Sequence, residues 1–146
     1  MILYVDDCCI FYKDEETIDA LLENPSKTFK LTNQVDVKSY IGKNFIIYAN
    51  GTINIIQHAI IYKILNSLGI CYESKMYDTP EIFILTRDED GNGRKLEWHY
   101  SSVIGKMNYL SGTTRNDILF AVNEFETYII YPKQSHEESF KMIGHY

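Results

Sequence analysis

The spacing between hydrophobic positions changes several times along the chain, from the alternation typical of strands to the three- and four-residue spacing typical of helices. This predicts a mixture of strands and helices. At the amino end, two short apolar runs, Met1–Val5 and Cys8–Tyr12, flank the acidic pair Asp6-Asp7. Such runs around a two-residue polar break are typical of a tight β-hairpin, because aspartate tolerates the backbone dihedrals of these turns. The pattern therefore predicts a hairpin with the acidic pair at its turn.

The next stretch has helical spacing and is followed by an alternating pattern. Asp14 is expected to cap a helix, and Asn24-Pro25 is expected to end it, since proline cannot continue the backbone hydrogen bonding of a helix. Phe29 and Leu31 then alternate with polar neighbours, which predicts a short strand.

A second hairpin is predicted in the middle of the first half. Asn50-Gly51 lies between the runs Tyr40–Ala49 and Thr52–Gln57, and this dipeptide is favoured in type I′ hairpin turns. From Ala59 the apolar residues follow helical spacing, and Gly69 stands where a glycine that ends a helix is expected.

Three more helical stretches are predicted after residue 97. The second of them is expected to end at Pro132, and Ser135-His136-Glu137-Glu138 fits a capping box that opens the third. The first two have apolar stripes made of Tyr100, Val103, Ile104, Met107 and Leu110, and of Ile118, Leu119, Val122, Phe125 and Ile129.

Residues 86–97 are charged and contain glycine, which is typical of a surface loop. Asp88-x-Asp90-x-Asn92-Gly93 also matches the first half of an EF-hand calcium loop. The second half does not match, because Lys95 stands at an apolar position and His99 replaces the bidentate glutamate. We therefore expect a flexible acidic loop at 86–97 rather than a calcium site.

Together these elements predict an α+β fold, and the composition is consistent with it. Hydrophobic residues make up 45% of the 146 residues and aromatic residues 14%, enough for a packed core. No run approaches the roughly 18–20 apolar residues of a membrane helix, so no membrane partner is expected. Cys8, Cys9 and Cys71 form no disulfide framework, which favours a reducing, intracellular setting in the cytoplasm. Cys8 and Cys9 are expected to be buried in the first hairpin rather than to act as nucleophiles.

The formal net charge of −6 speaks against an autonomous nucleic-acid-binding protein, but the charge is unevenly distributed. Residues 1–24 carry seven acids and one base, whereas residues 25–63 carry five lysines and one acid. These lysines could lie near phosphates, or they could be solvated residues of a sheet edge.

The pair Asp6-Asp7 is the leading candidate for chemistry. Adjacent carboxylates repel each other by about 4 kcal/mol at an effective dielectric constant near 20, so a fold that presents them together usually neutralises them. Magnesium takes one or two carboxylates together with water and phosphate oxygens. Two such ions can activate a 3′-hydroxyl and stabilise a leaving pyrophosphate. The alternative interpretation is that the two aspartates only form a turn.

The surrounding sequence resembles a known family. Met1–Tyr12 resembles the Y-x-D-D hairpin of reverse transcriptases, and the rest is similar to the copia-type retrotransposon branch over nearly its whole length. The segments that carry this resemblance are Ser39-Tyr40-Ile41-Gly42, Asn50-Gly51-Thr52-Ile53, Gln57, Ile64 to Ile70, Thr79-Pro80, Tyr100 to Leu110, Thr114-Arg115-Asn116-Asp117-Ile118 and Ala121-Val122-Asn123.

The resemblance implies a division of the chain and a set of roles. Residues 1–57 would be the last part of a polymerase palm, with an antiparallel sheet and a helix, and residues 58–146 a mainly helical thumb or connection region. Asp6 would be the main ligand of the catalytic metal and Asp7 its weaker partner. Tyr4 would lie against the primer–template or the incoming nucleotide.

The resemblance also implies where the primer would bind. The hairpin Tyr40–Gln57 would hold the 3′ end of the primer, with Ile41, Gly42 and Lys43 as nucleic-acid-binding residues. Gly42 would allow close approach of the backbone.

The implied function is RNA-directed DNA polymerisation by two magnesium ions, with a primer–template of RNA or DNA and deoxynucleoside triphosphates. The remainder of a polyprotein would be a further partner, and the family implies a virus-like particle in the cytoplasm. The third catalytic carboxylate and the nucleotide-binding fingers are expected upstream of Met1, so the metal site would be incomplete and the isolated chain inactive. Two alternatives remain: a non-catalytic transposon remnant, and a small α+β module that binds a partner.

Overall fold

A computed structural model gives the structure of the protein and describes residues 2–10, 15–32, 34, 37–71, 73–80, 85–95 and 97–146. The described elements are small antiparallel sheets and α-helices, which confirms the α+β class. The chain divides into two compact units, residues 1–41 and residues 42–146. The division into palm and thumb at residue 57 concerns function and stays a prediction. No helix in the described ranges is long and apolar enough to span a bilayer.

The first unit begins with the predicted hairpin. Strands β1 (Ile2–Tyr4) and β2 (Asp7–Cys9) are antiparallel, and Tyr4 pairs with Asp7. The turn consists of Val5 and Asp6, so the prediction of an Asp6-Asp7 turn was wrong by one residue.

Helix α1 (Glu15–Thr28) follows, and its proposed cap, Asp14, lies outside the described residues. The expected end at Asn24-Pro25 was wrong, because the helix continues through Pro25. Two side-chain contacts lie next to Pro25, which cannot donate the backbone hydrogen bond of a helix. Ser26 Oγ donates to the Glu23 carbonyl at 2.8 Å, and Lys27 Nζ lies 2.9 Å from Glu23 Oε1.

The strand predicted around Phe29 and Leu31 was also wrong. Residues 29–32 are not in a strand, and both apolar side chains are exposed. The first unit ends with the short strand β3 (Ser39–Tyr40).

The second unit opens with the second predicted hairpin, made of β4 (Lys43–Ile47) and β5 (Ile53–Ile56). The expected type I′ turn was wrong, since Gly51 has a φ of +82° but Asn50 is not among the residues with positive φ. Gly51 N donates to the Tyr48 carbonyl at 2.9 Å, so residues 49 and 50 form the centre of an ordinary turn that precedes the left-handed glycine. This is the three-residue hairpin loop, in which one glycine suffices.

Helices make up most of the second unit. Helix α2 (His58–Leu68) ends at Gly69 as predicted, with a φ of +69°. Helix α3 (Tyr100–Ser111) buries its whole predicted stripe. A 3-10 turn (Asn116–Ile118) leads into α4 (Leu119–Glu126), which ends six residues before Pro132 rather than at it.

Helix α5 (Gln134–His145) begins before the predicted capping box. The cap is made by His136 and not by Ser135, because His136 Nδ1 accepts a hydrogen bond from the Lys133 N–H at 2.9 Å. With Nδ1 as acceptor, Nε2 carries the proton of the neutral ring and donates to the Thr86 carbonyl at 2.8 Å. His136 is buried, and its ring stacks on Tyr128.

The core lies between α2, α3, α4 and α5. At its centre Phe140 contacts three aromatic rings, with centroid distances of 5.6 Å to Trp98, 5.9 Å to Tyr100 and 5.1 Å to Phe125. The buried apolar residues of the core are Ile64, Leu68, Trp98, Tyr100, Val103, Ile104, Met107, Leu110, Ile118, Ala121, Val122, Phe125, Phe140 and Ile143.

The acidic segment 86–97 lies against the first turn of α5. Lys133 Nζ donates to the carbonyls of Glu89 and Gly91, each at 3.1 Å, and Gln134 N donates to the Asn92 carbonyl at 3.0 Å. An ammonium group therefore sits against carbonyl oxygens of the loop that resembles half a calcium site. The predicted flexibility of this segment stays a prediction.

Two glycines have open space around them, and replacing each by alanine is expected to change the free energy of unfolding in opposite directions. Gly69 has a positive φ, so Gly69→Ala should lower the free energy of unfolding by about 1 kcal/mol. Gly105 lies inside α3, so Gly105→Ala should raise it by up to about 1 kcal/mol. Urea unfolding measures both. The same sign for both variants would contradict the backbone assignment.

Candidate metal-binding and nucleic-acid-binding residues

The turn of the β1–β2 hairpin has an unusual backbone conformation. Val5 has a φ of +50°, whereas Asp6 is not among the residues with positive φ. This combination matches a type II′ turn, whose first central position normally requires glycine. A β-branched residue there is strained, and such strain tends to occur at functional sites.

This turn presents the two acidic side chains to solvent. Asp6 lies in the turn itself and Asp7 is the first residue of β2, and both are exposed. In the described part of the chain neither carboxylate accepts a side-chain hydrogen bond or forms an ion pair. Exposed carboxylate oxygens without partners are the hard donors that magnesium prefers, so the two residues fit as part of its ligand set.

Tyr40 braces this hairpin from the end of the first unit. Its hydroxyl lies 3.1 Å from the Ile2 carbonyl and 3.2 Å from the Asp7 carbonyl, so it can donate to either oxygen. Desolvation raises the pKa of Tyr40, and the nearby Cys9, Cys8 and Asp7 side chains add to the rise. No local pattern indicated this contact, which joins residues 33 and 38 positions apart.

The cysteines of β2 have different surroundings. Cys9 is buried, as expected for a cysteine in the hairpin, whereas Cys8 is exposed. The expectation that both would be buried was therefore wrong for Cys8, since successive side chains of a strand point to opposite faces.

The residues assigned to nucleic-acid binding lie in both units. Tyr4 is exposed on β1, at the last position before the strained turn. Ile41 and Gly42 have φ values of +48° and +67°, the pair of positive values that defines a type I′ turn, and Lys43 opens β4. The turn type expected at Asn50-Gly51 is thus the one found at Ile41-Gly42. The Cβ position of Gly42 is 3.8 Å from the Tyr109 hydroxyl, which leaves room around this glycine.

Among the described side chains, no group of three or more histidine, cysteine, aspartate or glutamate residues is arranged so that it could hold a metal ion. The pair on the β1–β2 hairpin therefore remains the candidate set.

Two motif segments that are far apart in sequence contact each other in the second unit. Thr114 Oγ1 donates to Gln57 Oε1 at 2.8 Å, and Gln57 is completely buried. Arg115 holds Asp117 with hydrogen bonds of 2.9 to 3.1 Å, and this contact lowers the pKa of Asp117. These polar residues therefore have structural roles, and the contact between Gln57 and Thr114 was concealed by the 57 positions that separate them.

Tyr100 should make the stability of the second unit sensitive to alkaline pH. Burial raises its pKa well above the ordinary value, while Arg94 opposes the rise and Glu137 adds to it. A raised folded-state pKa gives a stabilisation that is complete below the unfolded value, about 10, and is lost as the pH rises through the folded value. We expect the melting temperature to fall above about pH 10 and the fall to be smaller in Tyr100→Phe.

Tyr62→Phe is the matched control, because Tyr62 is exposed on α2. Melting curves in a pH series should be the same for this variant and the native chain. If the melting temperature of Tyr100→Phe fell at alkaline pH as much as that of the native chain, the role assigned to Tyr100 would be contradicted.

Comparison with known proteins supports a transposon origin. The retrovirus-related Pol polyprotein from transposon TNT 1-94 of Nicotiana tabacum is 27% identical to this chain over 156 aligned positions. The alignment covers 100% of this chain but 12% of the polyprotein, so the chain spans about an eighth of the length of this relative. No family model matches, and no solved structure gives a significant match.

Proposed function

We propose that the chain is a part of a copia-type reverse transcriptase, an RNA-directed DNA polymerase, and that the β1–β2 hairpin belongs to its palm. The observation that carries this proposal is the pair of exposed carboxylates at a strained hairpin turn, for which the described residues supply no side-chain partner. The similarity to a transposon Pol polyprotein over the whole chain adds support. Backbone strain at a valine and repulsion between two adjacent carboxylates both cost free energy, and a hairpin that only reverses the chain needs neither of them.

In this proposal the residues of the chain hold and position the reacting groups. Asp6 binds the metal from the turn, and Asp7 binds it from the start of β2. The brace from the Tyr40 hydroxyl to the Asp7 carbonyl fixes the backbone of the second ligand. When bound, two magnesium ions would neutralise the developing charge of nucleotidyl transfer.

Contacts to nucleic acid would be made by Tyr4, which precedes the acidic turn, and by Lys43, which opens β4. Tyr4 offers an exposed aromatic ring on which a base or a sugar can stack. Lys43 carries a positive charge one residue after Ile41-Gly42, where it can approach a phosphate of the primer. We place the third carboxylate and the nucleotide-binding fingers outside these 146 residues, so the chain alone should not extend a primer.

We also propose that the remainder of the polyprotein covers the β4–β5 hairpin. Its register places Phe45, Ile47, Ile53 and Ile55 on one face, and Ile47 is 68% exposed and Ile53 52% exposed. An apolar face of this kind favours a partner. Most of the length of the related polyprotein lies outside the region that matches this chain.

Metal binding by Asp6 is tested directly with the 146-residue chain. Manganese, which can replace magnesium and is paramagnetic, should broaden the amide resonances of residues 4–9, and Asp6→Asn should weaken this binding at least about tenfold. Asp19→Asn is the matched control, since Asp19 is exposed on α1. Equal broadening in the native chain and in Asp6→Asn would contradict the proposed metal site.

Polymerase activity is tested in a longer chain that includes the upstream part of the polyprotein. We expect magnesium-dependent extension of oligo-dT on poly-rA, with a loss of at least about a hundredfold in Asp6→Asn and none in Asp19→Asn. The 146-residue chain should show no extension. Extension by that short chain, or full activity of the longer Asp6→Asn chain, would contradict the proposal.

A further inference from the structure

Strand β5 of the second unit stands at the edge of its sheet, since β4 is the only strand among the described residues that pairs with it. Tyr48 N donates to the Thr52 carbonyl at 2.9 Å, and this hydrogen bond fixes which residues of β5 face β4. Such residues alternate in an antiparallel pair, so Asn54 also directs its backbone groups towards β4. The N–H and C=O groups of Ile53 and Ile55 therefore point away from β4, to the open edge.

These outward backbone groups lack partners within the described part of the chain. None of its residues donates to or accepts from the backbone of Ile53 or Ile55 at this edge. The strand also lacks the usual protection of an edge, because it contains no charged residue and no proline. A row of open donors and acceptors on an uncharged strand is a template for the addition of a further strand.

A second copy of β5 matches this edge about a two-fold axis through Asn54. Antiparallel pairing places Ile53 opposite Ile55 of the other copy, and each of the two such pairs exchanges two backbone hydrogen bonds. Asn54 then meets its own equivalent in the closer position, between these pairs. Its Nδ2 donates to the Tyr48 hydroxyl at 3.3 Å, which leaves the second N–H and Oδ1 of the amide for the other copy. The open groups of one copy are thus complementary to those of the other.

The charges around the hairpin do not oppose this pairing. Residues 37–72 contain three lysines and no acid, so repulsion between lysines of the two copies is the relevant cost. Lys43 lies on β4, one strand away from the edge. A strand spacing of about 4.8 Å and a rise of about 3.3 Å per residue place the two Lys43 positions roughly 25 Å apart across the axis. This separation is about three Debye lengths at physiological salt, so the repulsion is screened.

We propose that β5 pairs with β5 of a second copy and that the two hairpins form one four-stranded antiparallel sheet. The two-fold axis is perpendicular to the sheet, so Phe45, Ile47, Ile53 and Ile55 of both copies share one face. A two-stranded hairpin is marginally stable by itself, and further strands with a common apolar face stabilise it.

The dimer is expected to be weak. Three residues of one strand per copy bury far less than the roughly 1,200 Å² of a stable complex, so the dimer forms only at high protein concentration. The edge of β5 is distinct from the apolar face assigned above to the remainder of the polyprotein. The pairing therefore depends neither on that assignment nor on polymerase activity.

Sedimentation equilibrium of the 146-residue chain over a wide concentration range should show a monomer–dimer equilibrium. Asn54→Lys should raise the dissociation constant at least about tenfold, because two ammonium groups then meet across the axis. Asn54→Asp should do the same with two carboxylates. Asn66→Lys is the matched control, since Asn66 is exposed on α2, and it should leave the equilibrium unchanged.

A mixture of the Asn54→Lys and Asn54→Asp chains separates lost pairing from lost folding. It should form dimers again, because opposite charges then face each other across the axis. In a mixture of labelled and unlabelled native chains, isotope-filtered nuclear Overhauser effects should connect the Asn54 α-protons of the two copies, which locates the contact without any variant.

A monomer at every concentration would overturn the proposal and leave the edge to an extended segment of the polyprotein. Growth beyond a dimer would overturn it as well, since a two-fold contact closes after two copies. So would an unchanged equilibrium in Asn54→Lys, a mixture of the two charged variants without dimers, or a missing Overhauser effect.

Discussion

Replacing Glu137 by leucine is expected to lower the free energy of unfolding by about 3–5 kcal/mol. Glu137 Oε1 lies 2.7 Å from Arg94 Nε, and the exposed fractions of the two side chains are only 6% and 15%. Its second oxygen accepts a hydrogen bond from Lys95 N at 3.0 Å. The substitution would leave the guanidinium group of Arg94 buried without a counter-charge, and that residual charge is the main source of the loss.

Denaturant unfolding measures this effect, and a double variant separates its cause. Adding Arg94→Met to Glu137→Leu should restore part of the stability, because no unpaired charge then remains. Glu23→Gln removes a solvent-exposed pair with Lys27, and its cost should be below about 0.5 kcal/mol. If Glu137→Leu cost no more than Glu23→Gln, the buried pair would not matter for stability.

Phe140→Ala is expected to cost about 3–5 kcal/mol, because it leaves a cavity at the centre of the core. The Phe140 ring is fully buried and touches Trp98, Tyr100 and Phe125. Phe120 provides a control of the same residue type, since its side chain is 71% exposed on α4.

Thermal and urea unfolding of the two variants should differ strongly. Phe120→Ala should change the free energy of unfolding by no more than about 0.5 kcal/mol. Similar losses in Phe120→Ala and Phe140→Ala would show that the core is not centred on Phe140.

Apolar periodicity predicted the helices of the second unit well. The stripe of α3 and most of the stripe of α4 are buried, because residues three and four positions apart share the face that packs on the core. Leu119 is exposed at the start of α4, and Ile129, which lies beyond the end of this helix, is only partly buried. The ends of two helices were predicted less well, because α1 continues through Pro25 and α4 ends six residues before Pro132.

Both hairpins were predicted, but their turns were not. In the first hairpin, the residue types favoured a turn at Asp6-Asp7, but the strand pairing places the turn at Val5-Asp6. In the second, they favoured a type I′ turn at Asn50-Gly51, but the hairpin has a three-residue loop. A left-handed valine is unfavourable locally, so propensity could not indicate it.

For the candidate site, the sequence indicated the acidic pair and its hairpin, and the magnesium role of that pair stays a prediction. The sequence could not indicate the brace from Tyr40 or the pairing of Gln57 with Thr114. Both depend on tertiary contacts between residues that lie 33 or more positions apart. Local patterns carry no information about such contacts.

The anchoring of the acidic segment to α5 has a consequence for the order of folding. The hydrogen bonds between them join residues 42 to 50 positions apart, from Lys95 and Glu137 to Thr86 and His136. Closing a loop of that length loses chain entropy before any contact compensates for it, whereas α3 and α4 are close in sequence. We therefore expect α3 and α4 to associate early, and α5 to dock with this segment in the last and slowest step.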